Sequence, residues 1–404
     1  MINIEKYFSL NKILLLAIGL WPYQQSNFTR FQFIVLSSIL TTNIIFQCMI
    51  FVSQRCTLDL ITKILSSVFF FTLFAIKYNM FSVKAVKDLL EQLLHIYNEL
   101  KDENEIAIID KYGYNGKRYT VVLTILAVIN ILAFIIASFW SNILNVILPT
   151  NASRSHHLLI MTEHLIDQEK YFYLILLHTI ASFCIGMIAL LATGTMILTY
   201  LLHICGMFKI ASYRIECAMS IDMLQNINLK KNLLILNGLI YAVDIHRQAM
   251  KLSKHLQYSC ETMMFCFIII WVVSMSLNLF RIFQLASSKD ELILPFVYAI
   301  VAILYMFLAN YMGQILTNHN HHVFVTVYNV RWYITPLYIQ RIILFLLQQN
   351  SRNFTLNVGG LFYASIECFA MSNDISFILA SKHFGILLYS FIFYTMIKNK
   401  IKAS

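Results

Sequence analysis

Proline and glycine are scarce in this chain, with four and eleven among 404 residues. Little of it is therefore loop, and long uninterrupted elements are expected. Charge is scarce as well, at 12% of residues, against 59% hydrophobic. With a mean hydropathy of +0.69, a soluble domain could not hide its apolar surface, so the solvent is a bilayer. The apolar runs are continuous and do not alternate, which excludes a membrane barrel and selects helices. None of the eight cysteines forms a CxxC pair, so no zinc spacing or disulfide framework can be read and free thiols are expected. GxSxG, HExxH and P-loop motifs are all missing, so nothing supports catalysis. No metal or cofactor is implied.

What is present is a set of runs of the length that spans a bilayer, about 20 residues each. Seven are expected, at 31–52, 57–81, 119–148, 171–205, 257–285, 292–317 and 354–379, in a single domain covering 1–404. Ile13–Leu20 is too short to span and is not followed by a small-residue cleavage site. It reads as a helix lying in the inner interface. The net charge of +10 reports topology and gives no sign of a nucleic-acid partner. With the N-terminus inside, nineteen Lys and Arg fall on the cytoplasmic side and four in outer loops, namely Arg55, Arg154, Lys170 and Lys289. That asymmetry places the N-terminus in the cytoplasm. Of the sequons at Asn27, Asn151 and Asn353, Asn151 alone lies in an outer loop, and it is the expected glycosylation acceptor.

Two long polar stretches remain inside. Residues 82–118 read as helix, with Val86, Leu89, Leu90, Leu93, Leu94 and Tyr97 as its apolar stripe. Residues 206–256 read likewise, as cytoplasmic extensions of the spans. His319, His321 and His322 cluster at one membrane border, while His156, His157 and His164 fall on the other, so one metal centre cannot use both sets. Lys77 stands near the inner end of the second span, where it can snorkel. Glu367 and Asp374 are seven residues apart, two turns, and share a helix face. Such a face belongs toward water or protein. In a channel it would attract cations, and helix-packing acids are the other reading. In the outer half, Phe69, Phe70, Phe134, Ser138, Phe183, Met187 and Tyr298 could line an apolar pocket. Taken singly, each could equally be a packing or lipid-facing residue.

Three stretches carry a resemblance. Tyr328 to Ala370 joins an amphipathic helix to an apolar one through a polar break. Gly19-Leu20-Trp21-Pro22-Tyr23 lies near the N-terminus. His203-Ile204-Cys205-Gly206-Met207-Phe208, followed by Ser212-Tyr213-Arg214-Ile215-Glu216, closes the fourth span. Over about residues 10–370 the chain resembles the insect odorant receptors, most of all those of ants and bees. The resemblance implies a tuning subunit in the plasma membrane of olfactory sensory neuron dendrites. There it would form an odorant-gated, non-selective cation channel as a heterotetramer with the shared odorant co-receptor. Its ligand would be a small hydrophobic odorant. Residues 328–353 would be the cytoplasmic subunit-joining helix, packed through Trp332, Tyr333, Ile343 and Phe345. Residues 354–370 would start the pore helix, with Glu367 and Asp374 toward the pore. Beyond Met371 the family pattern is lost, and counting places Lys382 near the gate. Residues 371–404 are an atypical tail, either an altered natural terminus or a transcript read past its last splice junction. A gustatory-type receptor of the same fold and a membrane di-iron enzyme are the alternative readings.

Overall fold

A computed structural model describes residues 5–53, 57–139, 160, 170–220, 229–284, 289–350, 357–358 and 362–380. Asn151, Lys382 and the tail beyond 380 lie outside the described residues. The chain is all-α and integral to the membrane. Six helices among the described residues are long and apolar enough to cross a bilayer.

In chain order the helices are α1 (Glu5–Ala17), α2 (Asn27–Ser53), α3 (Leu58–Asn79), α4 (Val83–Glu99), α5 (Glu103–Ser138), α6 (Phe172–Ala218), α7 (Leu229–Gln284), α8 (Lys289–Asn329), α9 (Leu337–Asn350) and α10 (Ile366–Ile378). At 1.5 Å per residue, α6 is about 70 Å long, more than twice the hydrocarbon core. α5, α7 and α8 overrun the core as well, so the expected cytoplasmic extensions are continuations of spanning helices.

Starts and stops follow local chemistry. Thr57 and Ser82 cap α3 and α4, their hydroxyls accepting from the backbone N–H of Leu60 and Ala85. The expected 82–118 helix is broken at Leu100–Asp102. Asp102 there caps α5 by accepting from the Asn104 N–H at 2.9 Å. The stripe on α4 buries Val86, Leu89, Leu90, Leu93, Ile96 and Tyr97, and turns Leu94 outward. Gly19 ends α1 with φ +72°, and the Leu20 N–H reaches back to the Leu15 carbonyl at 2.8 Å.

α6 is the centre of the bundle, with α1, α2, α3, α5, α7 and α8 packed around it. At the inner end one ion pair ties three helices. The Arg214 guanidinium on α6 donates to both oxygens of Glu105 on α5, at 2.6 and 2.8 Å, and to the Tyr241 carbonyl on α7 at 2.9 Å. The Glu105 side chain is only 8% exposed. The histidines of the His319–His322 run bond to neighbours. His319 pairs with the Tyr112 hydroxyl at 2.7 Å, and His322 with the Ser212 hydroxyl at 3.2 Å.

Arg214→Leu leaves the buried Glu105 carboxylate without its counter-charge and costs about 3 kcal/mol. It should appear as an earlier thermal unfolding transition in detergent. The Glu105→Leu/Arg214→Leu double variant should recover most of that loss. Gly19→Ala forces a Cβ into the left-handed region and costs about 1 kcal/mol by the same measurement.

Candidate functional site

Between the outer halves of α3, α5, α6, α7 and α8 lies a dense aromatic cluster. Phe70 of α3 stacks on Tyr298 of α8 with ring centroids 4.0 Å apart. Phe134 of α5 stacks on Phe183 of α6 at 3.9 Å. Phe74 meets Phe70 and Phe183 edge-on, at 4.8 and 6.1 Å, and joins the two stacks. The Phe74 ring lies where a Cβ at position 186 would be, so only glycine allows this approach. Trp271 of α7 closes one wall and donates its indole N–H to the Ala302 carbonyl at 2.9 Å.

Of the seven residues the sequence points to, Phe70, Phe134, Phe183, Met187 and Tyr298 all enter this cluster. Ser138 is buried at its edge, where its hydroxyl donates to the Phe134 carbonyl at 2.8 Å. Phe69 is half-buried and, among the described residues, outside the clustered rings. The rings largely fill their own space, and the open volume begins about a turn inward, at Met187. Sequence reasoning missed Phe71, Phe74, Trp271, Met275 and Met306. A tryptophan in mid-span was the available signal, since its N–H must find a partner in an apolar bundle.

Polarity inside the cluster is sparse. The Tyr298 hydroxyl is buried and, among the described residues, without a hydrogen-bond partner. A short polar seam runs nearby, where Ser66 donates to Asn278 at 2.7 Å and Ser67 to Gln47 at 2.8 Å.

At the other end of the molecule, α9 follows a turn of 3-10 helix at Trp332–Ile334. Ile339, Ile343 and Leu346 face the chain's own core, while Leu337, Tyr338, Leu344 and Phe345 face out. Two residues expected in a subunit joint are turned toward the chain itself. Ile343 is 1% exposed, and Trp332 packs half-buried against the same core. Tyr333 and Phe345 point outward, as a joint requires.

The stretch from 354 also departs from expectation. Asn357–Val358 pairs antiparallel with Phe362–Tyr363, and α10 starts only at Ile366. Ser365 decides that start, its hydroxyl accepting the Cys368 N–H at 3.1 Å while its own N–H donates to Asn310 on α8. Cys368, Ser372 and Ser376 form the buried face of α10. Glu367 and Asp374 lie on the exposed side, with Met371 and Ile378. Glu367 in the first turn also favours the positive end of the helix dipole. Lys77, expected to snorkel, is fully buried instead.

No curated protein sequence matches the chain. Solved structures share its fold, two of them of one receptor. One is the insect olfactory receptor OR5 from Machilis hrabei in complex with eugenol. Its TM-score is 0.72 at 12% identity, covering 96% of this chain and 98% of that one. The other is the structure of the same receptor without eugenol in its description. Its TM-score is 0.70 at 13% identity, covering 93% and 97%. A family model described as 7tm odorant receptor matches residues 57–373, ending within three residues of the point where the sequence resemblance fades. Because that match spans most of its length, the chain belongs to the 7tm odorant receptor family.

Proposed function

We propose that this chain is an odorant-tuning subunit of a ligand-gated, non-selective cation channel, assembled with a shared co-receptor in the membrane of olfactory neurons. The observation that carries the reading is the outer aromatic cluster with the Tyr298 hydroxyl, which has no hydrogen-bond partner among the described residues. Small volatile molecules offer much apolar surface and few polar atoms. A site of stacked rings with a tyrosine hydroxyl to donate suits them, through dispersion and one hydrogen bond. The same fold in a receptor described in complex with eugenol supports an odorant as the ligand.

The rings close on themselves at 3.9 and 4.0 Å, so an odorant must part them. It therefore binds better to a state in which α3, α5, α6 and α8 have moved apart. Such a preference is the thermodynamic condition for gating. Glu367 and Asp374, on the free side of α10, supply the negative face of the cation path. The outward face of α9, with Tyr333 and Phe345, is the joint to neighbouring subunits.

Co-expression with the co-receptor and current recording against an odorant panel is the central test. Surface-expressed pairs that pass no odorant-evoked cation current would sink the proposal. Tyr298→Phe should raise the half-maximal concentration of ester and ketone odorants about fivefold, the loss of roughly 1 kcal/mol. Hydrocarbon odorants should be unaffected. Phe345→Asp should prevent co-assembly, seen as loss of co-purification, while the chain still folds. Neutralising the acids as Glu367→Gln and Asp374→Asn should lower unitary conductance, and unchanged conductance would remove both residues from the pore.

A further inference from the structure

Inward of the aromatic cluster lies a cavity of roughly 170 Å³ between α5, α6 and α8, with Met264 of α7 in its wall. Its lining is almost wholly apolar, as at Leu123, Leu198 and Leu308. Gly194 keeps it open, since a Cβ there would stand 3.3 Å from the Tyr305 ring. Leu126 of α5 and Leu304 of α8 both line it and are both about half exposed on the lipid-facing surface. The space therefore opens sideways, between α5 and α8, into the bilayer. Apolar cavities of about 150 Å³ stay dry and accept a benzene ring, so this one holds part of a hydrocarbon chain.

Toward the inner end, this apolar space meets a cation. Lys77 is 0% exposed. Its ammonium lies 3.3 Å from the Met264 sulfur, 4.6 Å from the Phe267 ring centre and 5.3 Å from that of Tyr305. Met264 and Tyr305 also line the cavity, so both touch the cavity and the charge. No ion pair among the described residues includes Lys77. A thioether is a weak acceptor, and aromatic faces return at most about 2 kcal/mol to a desolvated cation. The position in the last turn of α3 favours a positive charge, but it does not explain burial with no ion-pair partner among the described residues. A charge inside a membrane bundle points to a ligand or an ion path.

We propose that this cavity, which adjoins the odorant cluster at Met187, is a second ligand site and that it takes a long-chain fatty acid from the bilayer. The carboxylate pairs with Lys77 once Met264, an unbranched and adaptable side chain, swings aside. The first part of the chain fills the space along α6 at Gly194. The remainder leaves between Leu126 and Leu304 into lipid. A fatty acid fits because the site combines one buried cation, an apolar channel and a lateral opening. Odorant response is not needed for this site, so the two readings fail separately.

The test uses the full chain in lipid nanodiscs with a diazirine-bearing palmitic acid and its methyl ester. After photolysis, labelled peptides are mapped by mass spectrometry. The acid should label lining segments of α5, α6 or α8, and excess oleate should suppress that labelling. Lys77→Met should reduce labelling by the acid about tenfold, the scale of one lost desolvated ion pair, and leave labelling by the ester unchanged. Gly194→Leu, which fills the cavity and keeps the charge, should abolish labelling there by both. Equal labelling by acid and ester in the unaltered chain would overturn the proposal. So would undiminished acid labelling in a monodisperse Lys77→Met or Gly194→Leu protein.

Discussion

The burial of α6 organises this molecule. Along its membrane-spanning length a helix apolar all round can face lipid or protein, and most of α6 is buried against protein. Residues such as Ala189, Ala192, Thr193, Ile204 and Met207 are completely enclosed. In a bilayer the hydrophobic effect does not draw helices together, so close packing must do it. Small residues on α6 make that packing possible. Gly186 admits the Phe74 ring, and Gly206 lies against Tyr112. The same rigid rod carries Phe183 and Met187 in the outer site and Arg214 in the inner ion pair.

Some polar groups inside such a bundle pair between helices, and others do not. Glu105 and Arg214 satisfy each other with two short bonds and a third to a carbonyl. Ser66 with Asn278 and Ser67 with Gln47 are likewise paired between helices. These fix helix register. Tyr298 and Lys77 differ. Each is buried, and each borders apolar groups that could part to admit something else. A satisfied pair holds one arrangement, whereas an unsatisfied buried group is costly until a partner arrives.

Much of the architecture was legible because bilayer physics is local in sequence. Each continuous apolar run, apart from the last, falls on one long helix, though several helices run well past the expected bounds, and charge asymmetry supplied a direction for the N-terminus. The exceptions have identifiable causes. Residues 82–118 split at Asp102 because an acid followed by Asn104 makes a better cap than a continued turn. The apolar run from 354 reads as helix by composition, yet Ser365 starts α10 only at Ile366. Lys77 sits where lysines commonly reach for the interface, and the rings of Phe267 and Tyr305 hold it inside.

The sequence by itself determined that this is a helical membrane protein, which runs are apolar enough to cross, and which family motifs it bears. Composition and run length suffice for that, because lipid imposes one rule on every residue along a span. Only the tertiary structure decided which face of each helix meets which neighbour. Phe70 enters the aromatic cluster and Phe69 does not, although they are adjacent. Phe345 stands outward and Ile343 inward, two residues apart on α9. Neighbouring positions on a helix differ by about 100° in direction, and each direction's meaning is set by partners far away in the chain. The outer ring stacks, the caged ammonium of Lys77 and the cavity beside it exist only once those distant partners are in place.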